Sequence, residues 1–283
     1  MRKQHKIGSM PVRIVQSKDN ARLKELRRAW ARPSATGRAA LEGPHLLGEA
    51  LRGGLRMPYV FVAQGAEGLL EGLHLPPGTE VLILPEKLLA AALTTETPQP
   101  VAALVEPPDW TWADILQEQV GTPLLIVLAG LQDPGNLGTI VRSAEAFGAS
   151  GIVALPGTVS AWNPKSVRAS AGSIFRVPLI AAGEQDCLDR LREARVNIYA
   201  ATARHGQPAG GIDLAGPAAL LIGNEGKGVP DALAAKADGA VTIPCPGPVE
   251  SLNAAVAASV LLYEAARQRS SHAATRPAKR RAR

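Results

Sequence analysis

The sequence predicts an α/β protein of two domains, with a parallel sheet in the C-terminal one. Apolar runs of strand length recur beyond residue 122 and alternate with helical segments: 123–130, 151–156, 196–203, 218–223 and 239–244. Strands that are apolar on both faces and alternate with helices are typical of a parallel sheet covered on both sides. The composition changes over 105–123, where a Pro-Pro pair and two tryptophans indicate a linker.

The N-terminal region predicts a small α/β domain over residues 11–105. A helix is expected over 17–32, with Ser17 as its N-terminal cap. Its apolar residues share one stripe opposite a row of Arg and Lys: Leu23, Leu26 and Trp30. The other expected elements are a helix over 41–54, strands over 59–63 and 80–85, and a helix over 85–93.

The predicted domain boundaries place basic segments at both ends of the chain. We expect residues 1–10 to be a disordered basic extension and residues 106–121 to be the linker, which has room for a short helix. The second domain spans 122–268, and residues 269–283 are expected to form a disordered basic tail.

Positive charge is concentrated at the two ends of the sequence. The net charge is +6, but residues 1–38 alone carry +9 and residues 264–283 carry +6, so the segment between them carries −9. Basic ends of this kind favour contact with a polyanion such as nucleic acid. A solvated helix face and an unstructured tail would give the same pattern, and that alternative stays open.

The composition argues against several classes of protein. The longest apolar run is far shorter than the roughly 20 residues of a membrane-spanning helix, and the basic N-terminus lacks the apolar stretch of a secretion signal. Cys187 and Cys245 are isolated and form no CxxC pair, which disfavours a zinc site. We therefore expect a cytoplasmic protein that has reduced thiols and binds neither metal nor membrane.

The first of three motifs is DPGNLGTIVRSAEAFG, residues 133–148. A strand ends, a Pro-Gly turn follows and a helix starts near Asn136. A Walker loop would need Lys and Ser or Thr after Gly135, and the dinucleotide fingerprint GxGxxG would need a third glycine, so neither ATP nor NAD is supported. The plain structural alternative is that Asn136 caps the helix and Arg142 is a solvated residue opposite its apolar stripe.

The second motif is LLIGNEGKGVP, residues 220–230, in which an apolar strand runs into three glycines. Asn224, Glu225 and Lys227 alternate with these glycines. A tight connection between a strand and a helix is the alternative, but it needs only one or two glycines. The carboxylate and the amide held between the glycines favour a functional loop.

The third motif is IPCPGPVESLN, residues 243–253, which leads into a strongly apolar helix. Glu250, Ser251 and Asn253 cluster at the start of that helix. A helix cap accounts for one of these polar groups but not for all three. The prolines indicate a loop of fixed shape.

Together the three motifs resemble those of the SpoU (TrmH) family of RNA ribose 2′-O-methyltransferases, in the SPOUT superfamily. The resemblance covers 123–267, and the N-terminal region is similar to a substrate-binding domain often joined to this family. It implies a C-terminal parallel-sheet domain with a deep trefoil knot and an N-terminal domain like small ribosomal RNA-binding proteins. It also implies S-adenosylmethionine as methyl donor, and a homodimer with the active site at the subunit interface. The last helix would then be buried all round, in the knot and against the partner.

The resemblance also implies the site residues. The catalytic set is Asn136, Arg142, Glu225, Ser251 and Asn253. Cofactor contacts are expected at Thr202, Gly223, Asn224, Ile243, Ser251 and Leu252. RNA contacts are expected at Arg22, Lys24, Arg28 and Arg142. Because a guanidinium stays protonated, Arg142 is expected to bind the adjacent phosphate and to stabilise developing alkoxide charge rather than to accept a proton.

Several substrates stay open at this stage. Large-subunit rRNA is favoured because a separate N-terminal domain is present, and a tRNA ribose methyltransferase is the main rival. An RNA-binding module without catalysis is a further alternative, disfavoured because the whole catalytic set is present. The sequence leaves open the target nucleotide, naked RNA or an assembled particle as substrate, a housekeeping or an antibiotic-resistance role, the roles of the basic ends, and the group that accepts the 2′-hydroxyl proton.

Overall fold

A computed structural model describes residues 12–32, 37–93, 95–116 and 122–275. The predicted basic extension over residues 1–10 lies outside these ranges. The chain divides into two compact units. The first runs as far as Asp109 and includes the later segment Ser160–Arg176, whereas the second comprises Trp110–Val159 and the chain from Val177 onward.

The N-terminal part forms β1 (Val12–Ile14), α1 (Ala21–Ala31), β2 (Ala39–Glu42), α2 (Pro44–Arg52), β3 (Tyr59–Ala63), β4 (Glu80–Leu84), α3 (Glu86–Ala90) and β5 (Val101–Val105). The C-terminal part forms α4 (Trp112–Leu116), β6 (Leu124–Ala129), α5 (Pro134–Ala146), β7 (Gly151–Ala154), α6 (Pro164–Ala169), β8 (Leu179–Ala181), α7 (Glu184–Glu193), β9 (Asn197–Ala201), β10 (Gln207–Pro208), β11 (Ala218–Gly223), α8 (Asp231–Ala234), β12 (Gly239–Thr242) and α9 (Ala254–Thr275).

The first unit contains a five-stranded mixed sheet in the order β1-β4-β3-β5-β2. Strands β1, β4 and β3 pair in parallel, whereas β5 is antiparallel to both β3 and β2. Helices α1 and α3 cover one face, where Leu23, Leu26 and Leu89 join the core of the sheet. The small α/β domain predicted from the sequence therefore has a closed core of its own.

The start of α1 differs from its prediction. Asn20, not Ser17, caps the helix, because its side-chain oxygen accepts hydrogen bonds from the main-chain nitrogens of Arg22 and Leu23 at 2.9 and 3.3 Å. The Ser17 hydroxyl accepts from the main-chain nitrogen of Asp19 in the turn before the helix. The predicted apolar stripe is confirmed, since all three of its residues are buried.

The helix predicted over 41–54 is in fact a strand followed by a helix. Residues 39–42 pair with β5, and Gly43 then takes a positive φ of 91°, which ends the strand. Pro44 follows as the first residue of α2, where its fixed φ suits a helix start. Glu42 is buried, and its carboxylate accepts hydrogen bonds from Thr95 Oγ1 and the main-chain nitrogen of Gln99.

The segment Ser160–Arg176 was predicted to belong to the C-terminal domain but groups with the first unit. Within that unit Phe175 is buried and lies so close to Gly53 that a methyl group on this glycine would approach its Cβ to 3.0 Å. Arg176 also donates a hydrogen bond to the Glu49 carboxylate at 2.7 Å. The residues that this segment contacts, Gly53 and Glu49, are far away in sequence. Local sequence patterns therefore could not place the segment in the first unit.

The second unit contains a seven-stranded sheet in the order β10-β12-β9-β11-β6-β7-β8, with every neighbouring pair parallel. The predicted parallel sheet is therefore confirmed. Two short edge strands, β8 and β10, were not predicted because two or three residues carry too little pattern. The trefoil knot implied by the resemblance stays a prediction.

Helix α9 continues to Thr275, beyond the predicted domain end at residue 268. The prediction of a disordered tail is therefore wrong for residues 269–275, and the rest of that tail lies outside the described ranges. The Arg269 guanidinium donates hydrogen bonds to four main-chain carbonyl oxygens, at distances of 2.5 to 2.9 Å: those of Thr122, Pro123, Leu214 and Gly216. These bonds fix the end of the helix to the segments that lead into β6 and β11.

One face of α9 is exposed in the single chain. Leu261 and Leu262 are buried, but Val256, Val260 and Tyr263 keep 48%, 38% and 56% of their surface exposed. The expectation that α9 is buried in the knot and against a partner stays a prediction, because this exposed face is that of a single chain. No helix in the described ranges is long and apolar enough to cross a membrane.

Candidate active site

The three motifs follow strands of one parallel sheet at their carboxyl ends. The first motif follows β6, the second follows β11 and the third follows β12. Strands β6 and β11 are neighbours although about 90 residues separate them, so the chain direction across the sheet reverses there. Ligands of open α/β sheets bind outside the carboxyl ends of strands at such a reversal.

The motif-one loop, residues 130–136, is closed by Asp133. Its side-chain oxygen accepts a hydrogen bond from the main-chain nitrogen of Asn136 at 2.8 Å, and α5 starts at Pro134. The alternative in which Asn136 caps the helix is therefore wrong. Because Asp133 provides the cap, the Asn136 side chain is left to make contacts outside its own helix.

The motif-two loop, residues 224–228, is closed on itself. The main-chain groups of Asn224 and Gly228 exchange two hydrogen bonds of 3.0 and 2.9 Å. Gly223 lies against this closure, so a Cβ there would come within 1.9 Å of the Gly228 carbonyl carbon, and no residue other than glycine fits. Asn224 also donates to the carbonyl oxygen of Gly130 at 3.1 Å, which joins this loop to the motif-one loop.

Glu225 bridges from the motif-two loop to the motif-one loop. One carboxylate oxygen accepts from the main-chain nitrogen of Asp133 at 3.0 Å and from Asn136 Nδ2 at 3.1 Å, while the other accepts from the nitrogen of Gln132 at 3.3 Å. Burial raises the pKa of Glu225, but these hydrogen bonds outweigh it and the pKa is lowered overall. Glu225 is therefore an ionised acceptor at neutral pH and has no proton to donate.

Asn253 completes a chain of hydrogen bonds through all three motifs. Its Nδ2 donates to Asn136 Oδ1 at 3.0 Å, and its Oδ1 accepts from the main-chain nitrogens of Ala255 and Val256 at the start of α9. An ionised carboxylate can only accept, so Glu225 fixes the orientation of the Asn136 amide, which in turn fixes that of Asn253. We call this series, Glu225–Asn136–Asn253, the polar relay.

A cavity of about 1380 Å³ lies outside the carboxyl ends of β9, β11 and β12. Its walls include the predicted cofactor positions, which converge here from four separate segments: Thr202, Gly223, Asn224, Ile243, Ser251 and Leu252. Glu225 also lines it, so the polar relay starts at the cavity wall. The carboxylates of Asp231 and Glu250 lie in the same wall.

The predicted catalytic residues are brought together with one exception. Ser251 and Glu225 line the cavity, and Asn136 and Asn253 are joined to Glu225 through the polar relay. Arg142 is exposed on α5, as predicted, but does not line this cavity. It lies six residues beyond Asn136, which is about 9 Å along the helix.

The predicted RNA-binding residues of α1 differ in their surroundings. Arg22 lies 4.5 Å from the centre of the Tyr59 ring and within 4.0 Å of two carboxylates, and Lys24 pairs with Asp19 at 2.9 Å. Arg28 is exposed, with no ion pair among the residues that the structure describes. Of the three, Arg28 has the charge most available to RNA.

Comparison with known proteins matches both units to described families. The SpoU rRNA Methylase family model covers residues 123–263, and the MRM3-like substrate binding domain model covers residues 20–103. The 23S rRNA (guanosine(2553)-2′-O)-methyltransferase RlmP of Bacillus subtilis is 32% identical over 252 residues, which are 88% of this chain and 97% of the relative. The chain belongs to the SpoU rRNA methylase family. The predicted resemblance is thereby confirmed.

Other SpoU methylases show the same likeness in sequence and in structure. The 23S rRNA (uridine(2479)-2′-O)-methyltransferase of Streptomyces viridochromogenes is 36% identical over 70% of this chain and 71% of its own length. The crystal structure of the SpoU methyltransferase AviRb from that organism, in complex with AdoMet, superimposes with a TM-score of 0.79 at 30% identity and covers 89% of this chain and 99% of AviRb. An AdoMet-bound rRNA methyltransferase from Sinorhizobium meliloti has the same TM-score at 31% identity, with 90% and 98% of the two chains covered.

Sequence reasoning missed several residues of the site. The sequence patterns did not identify Asp133 as the helix cap. They also assigned no role to three residues that line the cavity: Arg204, His205 and Asp231. A signal was present in each case. Asp133 precedes a proline at a helix start, and the other three follow closely on the ends of apolar strands.

Proposed function

We propose that this SpoU methylase transfers a methyl group from S-adenosylmethionine to a ribose 2′-hydroxyl of large-subunit rRNA. The observation that carries the proposal is the polar relay, which joins all three motifs beside one cavity at the carboxyl ends of the strands. The family membership and the AdoMet-bound relatives support the same donor.

The cavity suits this donor in shape and in charge. Many of its lining residues are glycine or alanine, whose small side chains leave room for a flat nucleoside and allow a ligand to approach the main chain. Gly223, Ile243 and Leu252 would hold the adenosine by their main chain, with Thr202 near its ribose. The carboxylates of Asp231 and Glu250 suit a positively charged ligand. When bound, the donor supplies an activated methyl group whose leaving group is a neutral thioether, so the transfer needs no metal.

The residues of the chain then position the acceptor ribose. Ser251 is exposed in the cavity wall, where its hydroxyl would contact the ribose. Asn253 is engaged by Asn136 and by the start of α9, so it positions the loop of the third motif, residues 243–253, which we call the motif-three loop. Arg142 would bind the phosphate next to the target ribose and stabilise charge that develops on the 2′-oxygen, because its guanidinium keeps its proton.

A homodimer is part of the proposal. Helix α9 exposes Val256, Val260 and Tyr263, and the half-buried Phe147, directly after α5, packs edge-on against Tyr263 at 5.9 Å. We call these four residues the apolar patch. Exposed apolar surface of this kind marks an interaction site. A second copy docked here would cover α9 and bring the α5 that carries Arg142 to the subunit interface.

Large-subunit rRNA is the favoured substrate and tRNA the alternative. The first unit matches the MRM3-like substrate binding domain, and two of the relatives, RlmP of Bacillus subtilis and the Streptomyces viridochromogenes enzyme, are named as 23S rRNA methyltransferases. An enzyme of this class would act in the cytoplasm, where the ribosome is assembled. The rival in a different class, an RNA-binding module without catalysis, is disfavoured by the intact polar relay.

The deciding experiment maps 2′-O-methyl groups in rRNA and tRNA from cells with and without this gene. We expect one ribose methylation of large-subunit rRNA to disappear with the gene and to return with the wild-type copy. A change confined to tRNA would support the tRNA alternative. Unchanged methylation in both RNAs would contradict the proposed activity.

A further inference from the structure

Two basic side chains enter the cavity wall from a loop that the three motifs do not include. Arg204 and His205 are exposed and lie in residues 202–206, directly after β9. This segment, which we call the β9 loop, lies at the carboxyl edge of the sheet beside the motif-three loop. The basic residues of this loop therefore lie beside the proposed reaction site.

The β9 loop is held in one conformation. Thr202 Oγ1 donates to the carbonyl oxygen of Arg204 at 2.8 Å, and Thr202 is itself bound by its main-chain nitrogen to β12. Gly206 lies against β12 so closely that a Cβ there would come within 2.8 Å of the Val241 carbonyl carbon. The loop therefore presents its basic side chains from a fixed backbone.

A third basic side chain lines the same cavity from the end of another strand. Lys227 is exposed on the closed motif-two loop, in which its main-chain nitrogen donates to Asn224 Oδ1 at 3.3 Å. In the part of the chain that the structure describes, no ion pair engages the side chain of Arg204 or of Lys227. Two cationic residues on separate loops thus line one cavity, and both are exposed.

The cavity is larger than the proposed donor needs. Pockets for a single small ligand measure roughly 300–1,000 Å³, whereas this one measures about 1380 Å³. The target ribose has to enter the remaining space, because its oxygen must come within about 3–3.5 Å of the methyl carbon. A nucleotide that enters brings the negative phosphates on either side of it to the cavity rim.

We propose that Arg204 and Lys227 bind the RNA phosphates that flank the target ribose. The inference rests on the proposed function, since it assumes that RNA enters this cavity. It assigns RNA contacts to the catalytic unit itself, in addition to those expected on α1 and at Arg142. The acidic residues of the wall, Asp231 and Glu250, suit the positively charged donor, whereas the two cations suit the polyanion.

The test compares Arg204→Gln and Lys227→Gln with Arg195→Gln. Arg195 is the matched control, because it is also exposed but lies at the opposite, amino end of β9. Binding of unmodified 23S rRNA transcript is measured at several salt concentrations, and binding of S-adenosylhomocysteine is measured by calorimetry. Each test variant should bind RNA about fivefold more weakly and lower the salt slope by about 0.7, with unchanged affinity for S-adenosylhomocysteine.

Three outcomes would overturn the inference. RNA affinity and salt slope equal to those of Arg195→Gln would show that the cations do not contact RNA. Weaker S-adenosylhomocysteine binding with unchanged RNA binding would assign them to the donor instead. A wild-type protein that binds neither RNA nor S-adenosylhomocysteine would remove the proposed function together with this inference, so the two failures are distinguishable.

Discussion

At the scale of single residues, Glu225 organises the site through hydrogen bonds and not through proton transfer. It accepts from two main-chain nitrogens and from Asn136, so glutamine in its place would point an amide group at a donor. Because Glu225 is exposed and water can replace part of these bonds, we expect Glu225→Gln to lower the free energy of unfolding by only about 1 kcal/mol, and methyl transfer to fall by at least tenfold. Steady-state kinetics on rRNA, with Asp189→Asn as an exposed control, checks this.

The same residue predicts a pH dependence of stability. The pKa of Glu225 is lowered in the folded state, so its contribution is complete above the ordinary glutamate pKa of about 4.3 and is lost as pH falls through the folded pKa. The difference in unfolding free energy between wild type and Glu225→Gln should be flat near neutral pH and shrink in acid. Denaturant titrations between pH 7 and pH 3 measure it, and a difference that grows in acid would contradict the assignment.

Arg142 gives the second prediction at this scale. Arg142→Lys keeps a positive charge but loses the planar fork that binds phosphate and oxyanion together. We expect most activity to be lost while affinity for S-adenosylhomocysteine is unchanged, since Arg142 does not line the cavity of its own chain. Near-normal turnover, equal to that of an Arg190→Lys control on α7, would remove Arg142 from the mechanism.

The sequence identified these residues through their motifs but could not show how they connect. The spacing of the first motif is compatible with Asn136 as a helix cap or as a functional group. The structure distinguishes the two, because Asp133 caps the helix. The hydrogen bond from Asn253 to Asn136 spans 117 positions, and no local pattern encodes it.

At the scale of elements, the hydrophobic runs predicted the central strands well and the boundaries less well. Strands β3 and β11 have the limits that their apolar runs indicated. The predicted helix over 41–54 includes residues 41–42 of this strand because Leu and Glu suit either element, and the positive φ of Gly43 that ends the strand cannot be inferred from composition.

The end of α9 gives a prediction about Arg269. This residue lies in the tail that the sequence predicts to be disordered, so the sequence alone assigns it no structural role. Arg269→Ala removes a donor from four main-chain carbonyl oxygens, of which that of Pro123 keeps a bond from the Ala218 nitrogen, and we expect a loss of about 3 kcal/mol in unfolding free energy. Arg267→Ala is the control on the same helix, since Arg267 is exposed and pairs with one side chain, that of the largely buried Glu264, so we expect a smaller loss than for Arg269→Ala. Urea titration compares the two, and equal losses would contradict the role given to Arg269.

At the scale of the whole molecule, the proposed active site requires a second copy of the chain. Tyr263→Glu places a charge in the apolar patch, and we expect it to shift the protein from dimer to monomer and to reduce methyl transfer sharply. Light scattering after gel filtration measures the mass, with Ser270→Glu as the control on an exposed face of the same helix. A wild-type monomer that is fully active would contradict the dimer.

The order of strands in the second sheet was beyond the reach of sequence patterning. Alternating strands and helices predicted a parallel sheet, but they do not say that β11 lies beside β6 or that Ser160–Arg176 joins the first unit. The position of the active site follows from that order, because it brings the motif-two loop against the motif-one loop.

The central claim is that the β9 loop, the motif-two loop and the motif-three loop, which are distant in sequence, form one donor site at the carboxyl ends of the strands. Calorimetry of S-adenosylhomocysteine with the full chain tests it most directly, alongside Gly223→Ala, which cannot close the motif-two loop. We expect saturable binding to the wild-type protein and at least a tenfold loss for the variant when both are folded. No binding to the folded wild-type protein, or equal binding to both, would contradict the claim.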